Sequence, residues 1–347
     1  MIRLNSGNLW TDRWLNKVIE LNASHPDIKV VSMFGSIGGL TPTARSIDRL
    51  PTLGWPTIED YICRAKENNI NCRYTLNQSV IGPLQKFKPY WEDELRGILI
   101  RLHKAGITEW TVTSPLLISL LRYIFPDDFI EVSTIAEIIC PQDVEAYADL
   151  GANGIDVSTS INRDFVMLGD IMQVADRKNI TVELLANEAC LYRCPFRREC
   201  YNLSSENSVR GDEFFESYPF GWCSTIRQNN PAEWLKSRMI LPQWMKTYKE
   251  ELGIDFFKLA FRTHPYELAL PILEAYMSQE FKGNYCDLWP TISKLASKKD
   301  TALNISCTKL DDTDFFETTM NMGSHCLHRN CGVQCTYCQS IFDKCVI

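Results

Sequence analysis

Cysteine is the residue type whose placement suggests chemistry first. The sequence holds 14 of them, grouped as Cys190, Cys194, Cys200 and Cys223 midway along and Cys326, Cys331, Cys335 and Cys338 near the end, with Cys345 beyond. Thiols in such number serve disulfide scaffolds, zinc sites or iron–sulfur clusters. Disulfide scaffolds are typically under about 80 residues, far shorter than these 347, so metal ligation is the preferred reading. Thiolate sulfur favours iron–sulfur clusters or zinc. In NEACLYRCPFRRECYN one loop can present Cys190 and Cys194, Cys200 follows, and Cys223 in PFGWCSTIR can close the set. Zinc sites usually pair ligands about 2 to 4 residues apart on both sides, tighter than these intervals. Arg193, Arg197 and Arg198 would offset the negative charge of a thiolate-bound cluster. An iron–sulfur cluster on Cys190, Cys194, Cys200 and Cys223 is expected, with zinc or inert buried thiols as alternatives.

The second group lies in HCLHRNCGVQCTYCQSIFDKC. Cys331, Cys335 and Cys338 have the three-then-two spacing of the radical S-adenosylmethionine signature. That motif belongs in the loop after a first barrel strand, whereas only nine residues follow it here. A local cluster or a zinc knuckle on Cys326, Cys331, Cys335 and Cys338 is the better expectation, with His325 and His328 as substitute ligands.

These groups need a scaffold. Short apolar runs recur at 29–34, 72–76, 110–113, 130–133, 155–158, 181–185 and 256–259, and helical periodicity fills the gaps, as at Leu95, Leu99 and Leu102 before Gly106. Pro141 opens a helix that ends before Gly151. Strands alternating with helices imply a parallel sheet covered on both faces. A TIM-like (β/α) barrel is predicted; seven strands are counted, so the barrel is incomplete or distorted on this count, with a doubly wound open sheet as the alternative.

Ligands then belong at the carboxyl ends of the strands. Those ends carry Ser36, Asn77, Ser114, Ser133, Ser158, Asn187, Glu188 and Arg262, a polar rim for a small substrate; helix capping is the plain alternative for each. Glu188, beside the first cysteine, is the candidate proton-transfer group. Arg262 can clamp a carboxylate or phosphate through its planar fork, and Asn77 and Asn187 complete the candidate catalytic set. The chain divides into a barrel over 1–299, including a cysteine-rich insertion over 188–230, and a cysteine-rich tail over 300–347.

Composition narrows the classes. With 45% hydrophobic residues, a net charge of −7 and a pI near 5.4, the chain has material for a large core and no overall attraction to phosphate backbones. No strong nucleic-acid signal is present. The start lacks the apolar stretch of a signal peptide, and no apolar run is long enough to span a bilayer, so a soluble cytoplasmic protein is expected. Gly35 to Gly39 lack the Lys-Ser or Lys-Thr of a P-loop. No His-Glu-x-x-His or Gly-x-Ser-x-Gly motif marks a hydrolase.

The segments ELLANEACLYRCPFRRECYN and GIDFFKLAFR, with the cysteine-rich end, resemble the peptidase U32 group over most of the barrel. Some of its members are named collagenase-like; others are iron–sulfur proteins of oxygen-independent hydroxylation, acting on the ubiquinone ring or on RNA uridine and cytidine. The resemblance implies a [4Fe–4S] cluster on Cys190, Cys194, Cys223 and Cys200, beside the barrel mouth. A second cluster, or zinc, in the tail remains an extension of that expectation. Two departures stand out: cysteine at 200 where histidine is common, and Phe261 rather than glycine before Arg262. The expected function is a redox enzyme of the hydroxylation type acting on a small, nucleoside or peptide substrate. A U32-type peptidase and a non-catalytic electron-relay subunit are the alternatives, and a second U32-like protein or an electron donor is the partner expected besides substrate.

Overall fold

The computed structural model describes residues 1–80, 91–210, 217–290, 303–323 and 325–347. Eight parallel strands close into a barrel: β1 (Ile2–Gly7), β2 (Ile28–Gly35), β3 (Asn71–Leu76), β4 (Glu109–Val112), β5 (Phe129–Val132), β6 (Gly154–Asp156), β7 (Thr181–Leu185) and β8 (Phe256–Leu259). Each pairs with its sequence neighbour, and β8 returns to β1 through Arg3 to Ser6 against Phe256 to Leu259. The barrel is therefore complete, with one strand more than the apolar runs indicate. The extra strand is β1, whose sequence IRLNSG carries Asn5 and Ser6 fully buried. An inward face made of polar side chains removes the apolar signal on which strand recognition depends.

Helices α1 (Asp12–Ser24), α2 (Trp55–Glu67), α3 (Trp91–Ala105), α4 (Pro115–Ile124), α5 (Pro141–Asp149) and α6 (Phe165–Lys178) follow the first six strands in turn. On α3, Leu95, Leu99 and Leu102 are fully buried as their spacing predicts, each contributing about 1.5–3 kcal/mol by leaving water. Gly106 takes up the left-handed conformation after the helix. Gly154 is not a helix cap but the first residue of β6, and a Cβ there would stand 2.5 Å from the Phe129 ring.

The segment after β7 departs from its predicted irregularity. It forms α7 (Arg197–Arg210) and α8 (Ser217–Asn229), followed by α9 (Glu233–Lys236) and α10 (Met245–Leu252); α11 (Tyr266–Ser278) follows β8. The sequence of α7, RRECYNLSSENSVR, is polar on all sides, so no apolar stripe announces it. It packs through small polar groups: Ser205 Oγ accepts from the Ser79 amide at 3.0 Å, Ser208 Oγ from the Thr43 amide at 3.3 Å, and Asn202 from Ser79 Oγ at 2.7 Å.

The boundary drawn at 299–300 lies outside the described residues. Beyond it the chain holds short helices at Cys307–Asp311, Phe315–Asn321, His325–His328 and Tyr337–Cys345 rather than irregular coil. Ile305, Leu310, Phe315, Phe316, Ile341 and Phe342 join the same apolar cluster as the barrel helices. Trp244 stacks on Phe316 with ring centres 4.5 Å apart, which assigns this tryptophan to packing.

Candidate functional site

Side chains alternate along a strand, and here the residues turned away from the helices are polar. Thr111 Oγ1 donates to Glu131 at 3.0 Å, and Asn5 donates to Glu183 at 3.3 Å. Lys258 Nζ stands 2.9 Å from Glu131, 3.1 Å from Asp156 and 3.2 Å from Glu183. Arg73 bridges Glu131, Glu183 at 3.3 Å and Glu109 at 2.9 Å. Three fully buried carboxyl groups thus share two buried cations, Arg73 and Lys258.

The excess of negative charge determines the protonation. Burial pushes the Asp156 pKa up to about 7; Lys258 opposes the rise and Glu131 adds to it. Burial and Glu131 likewise hold Glu183 well above the usual carboxylate range. Glu131 goes the other way, to about 2, because Arg73 and Lys258 outweigh its burial. Burial works against the Lys258 ammonium, and Asp156, Glu131 and Glu183 together outweigh it, raising its pKa. Neither oxygen of Asp156 accepts a hydrogen bond despite the nearby ammonium. Glu131, Asp156 and Glu183 offer oxygens within 4.8 Å of one another, a spacing that suits a cation. The ammonium of Lys258, close to all three, already fills that role.

Above this network lies a cavity of ≈ 50 Å³ at the carboxyl ends of the strands. Asp156 and Lys258 line it together with Asn77, Glu188, Arg45 and Arg262. Arg262, three residues past β8, is 8% exposed. It donates to Thr75 Oγ1 and, at 3.5 Å, to Thr43 Oγ1, with its guanidinium 5.8 Å from the centre of the Phe34 ring. Burial and then Arg45 press its pKa down to about 9, at which it is still a cation at neutral pH. Gly7 at the end of β1 permits the close approach: a Cβ there would lie 2.6 Å from the Arg262 backbone nitrogen.

Of the predicted rim, Asn77 accepts from Thr43 Oγ1 at 2.9 Å and from the Ala44 amide at 3.1 Å, which holds the loop bearing Arg45. Asn187 is fully buried, and its amide bridges backbone groups, accepting from Ala260 at 2.7 Å and donating to Leu288 at 3.2 Å. It positions the ends of β7 and β8 and does not line the cavity. Ser133 and Ser158 cap short turns, accepting from the Ile135 and Ser160 amides. Glu188 lines the cavity and has a buried oxygen without a hydrogen-bond partner. Its carboxylate also acts on Cys190, whose thiol pKa is raised first by burial and then by Glu188.

The cysteines after β7 lie near one another, with Cys200 under the influence of Cys194, Cys223 and the cavity residue Glu188. Cys190 and Cys194 lie on the loop, Cys200 in the first turn of α7 and Cys223 within α8. Burial first, and then the proximity of Cys194, Cys223 and Glu188, raise the Cys200 pKa to about 12. All four thiols are free. Among the described residues no three cysteine sulfurs lie within 4.8 Å of one another. Thiolates about 2.3 Å from one zinc would stand about 3.8 Å apart, so neither cysteine group is drawn into a zinc tetrahedron; a multi-iron cluster spreads its ligands more widely.

Arg227 of α8 tests whether such a group fits. It is 1% exposed, among the described residues its three guanidinium nitrogens have no hydrogen-bond partner, and it rests over Trp234 at 5.0 Å. Its charge acts on both Cys190 and Cys194. A buried unpaired cation is costly, and a thiolate-bound anionic cluster is the complement this position lacks. The residues present fit the group.

In the tail, Cys331 and Cys335 meet across a backbone bridge, and the Asn330 carbonyl accepts from the amides of Val333, Gln334 and Cys335. Burial lifts the Cys338 pKa to about 11, with Arg163 opposing and Cys326 contributing. Cys326 also acts on Tyr192, which lies between Cys190 and Cys194 in sequence and 4.7 Å from the Arg238 guanidinium. Cys326 of the tail therefore lies near the loop that carries the first group.

No family model matches the chain. It is 27% identical over 242 residues to the uncharacterized protease MJ1657 of Methanocaldococcus jannaschii, across 68% of this chain and 70% of that one. The solved structure of the U32 peptidase Mk0906 superposes with a TM-score of 0.55 at 20% identity, covering 75% of this chain and 93% of that chain. These matches support a U32 assignment. The barrel interior is held by Glu131, Asp156, Glu183 and Lys258, which the sequence pattern did not single out, and neither did it single out Arg227 of α8. Charged residues at alternate positions within otherwise apolar strands were the available signal. Arg227 carried no local signal. Among the described residues no helix is long and apolar enough to cross a membrane.

Proposed function

We propose that this U32-related chain is an iron–sulfur enzyme of the oxygen-independent hydroxylation type, acting on a small, nucleoside or peptide substrate at the barrel mouth. Cys190, Cys194, Cys200 and Cys223 would hold a [4Fe–4S] cluster, which supplies single-electron chemistry when bound. The observation that carries this reading is Arg227, a buried cation without a hydrogen bond set among free thiols. Glu188 joins the cysteine side to the cavity, and Asp156, lining the same cavity with a pKa of about 7, exchanges a proton near neutral pH, so both can serve as acid or base. The threonine contacts of Arg262 fix the fork that orients substrate.

Anaerobic purification followed by iron and sulfide analysis and EPR tests this. About four irons per chain, lost in Cys194→Ser, are expected; zinc alone would reject it. The names of the relatives favour a second reading, a peptidase. His264, the histidine nearest the mouth, lines a neighbouring cleft to which no cysteine contributes. Peptide cleavage that survives joint replacement of Cys190 and Cys194 would establish that reading instead.

A further inference from the structure

We propose that the mouth is an oxyanion-binding site, in which Arg262 and Arg45 hold a carboxylate or phosphate group of the substrate. This names the substrate class for the reading above and rests on it for the site's catalytic role, although anion binding itself requires no iron. Two guanidinium groups line one small cavity, and among the described residues neither forms an ion pair with a carboxylate. Arg262 is nine-tenths buried, so water cannot fully replace the missing counterion.

The carboxylates on the cavity wall do not supply it. Asp156 is engaged with Lys258 at 3.1 Å. Among the described residues neither Asp156 nor Glu188 forms an ion pair with Arg262, and Arg45 adds a second positive charge beside it. The fork is also aimed: Thr75 and Thr43 each accept one arm, and Asn77 fixes Thr43 in turn. A planar guanidinium held this way suits bidentate recognition of an oxyanion.

Size limits what enters. A water needs about 10–15 Å³ of such space, so ≈ 50 Å³ accommodates about three to five water-sized atoms. A carboxylate with its neighbouring carbon, or a phosphate, fits; a ring does not. The substrate therefore inserts its charged end and leaves the remainder at the rim.

Calorimetry on the protein as purified, with inorganic phosphate, acetate and the uncharged acetamide, tests the proposal. Saturable binding of phosphate or acetate at millimolar concentration is expected, and which of the two binds identifies the oxyanion. Acetamide should not bind. Arg45→Gln, at a half-buried position, should weaken anion binding tenfold or more, and Thr75→Val, which frees the Arg262 fork, should do likewise. Binding of neither anion, equal binding of acetamide, or wild-type affinity in both variants would overturn it. Iron content measured on the same samples separates this outcome from failure of the cluster assignment.

Discussion

Replacing Asp156 with asparagine keeps shape and removes a charge from the most crowded electrostatic position in the barrel. The Asp156 pKa rises from 3.8 to about 7 on folding. A carboxyl whose folded pKa exceeds its unfolded one contributes stability that is fully present below the unfolded value and is lost as pH rises through the folded value. At about 1.4 kcal/mol per unit the full effect is about 4 kcal/mol, of which about 2.5 kcal/mol is lost between about pH 5 and pH 8. Wild-type stability attributable to this group should therefore fall across that interval, and Asp156→Asn should not share the fall. Urea denaturation of both proteins, followed by tryptophan fluorescence at matched ionic strength, gives the two curves. Their difference should change by about 2 to 3 kcal/mol across the range, with the variant gaining at the alkaline end. Parallel curves would refute the premise that three carboxyl groups compete for two cations inside the barrel.

Gly7→Ala should displace Arg262, because the new Cβ would meet its backbone at 2.6 and 2.9 Å. A loss of about 1–3 kcal/mol is expected from overpacking, together with loss of anion affinity, read by thermal unfolding with and without phosphate. Arg227→Met should be neutral or stabilising in metal-free protein, since it removes an uncompensated buried charge, yet should lower iron retention after anaerobic gel filtration. Equal iron retention in that variant would remove the electrostatic role assigned to Arg227.

Helices such as α3 and seven of the eight strands were legible because the faces that pack helix against sheet are apolar: Leu95, Leu99 and Leu102 on α3, or Val112 and Val132 on neighbouring strands. What was hidden shares one cause. Asn5, Arg73, Glu131, Glu183 and Lys258 are buried polar residues, and burial cannot be read from a polar residue without its partners. The same reason concealed α7, which packs through serines, and it made Asn187 look like a ligand when its amide is committed to the backbone. The cysteine grouping was visible from spacing, whereas Arg227 beside it comes from a helix more than thirty positions downstream of Cys190.

The polar helix α7 carries Cys200 at one end and the serines that fasten the loops of Thr43 and Ser79 further along. One helix thus joins the cysteine group to the loops that border the cavity. With iron in place, Cys200 would anchor its first turn and the gateway would keep its shape. Were oxygen to strip that iron, the base of this helix would lose its anchor, and the loops it fastens beside the cavity would loosen with it.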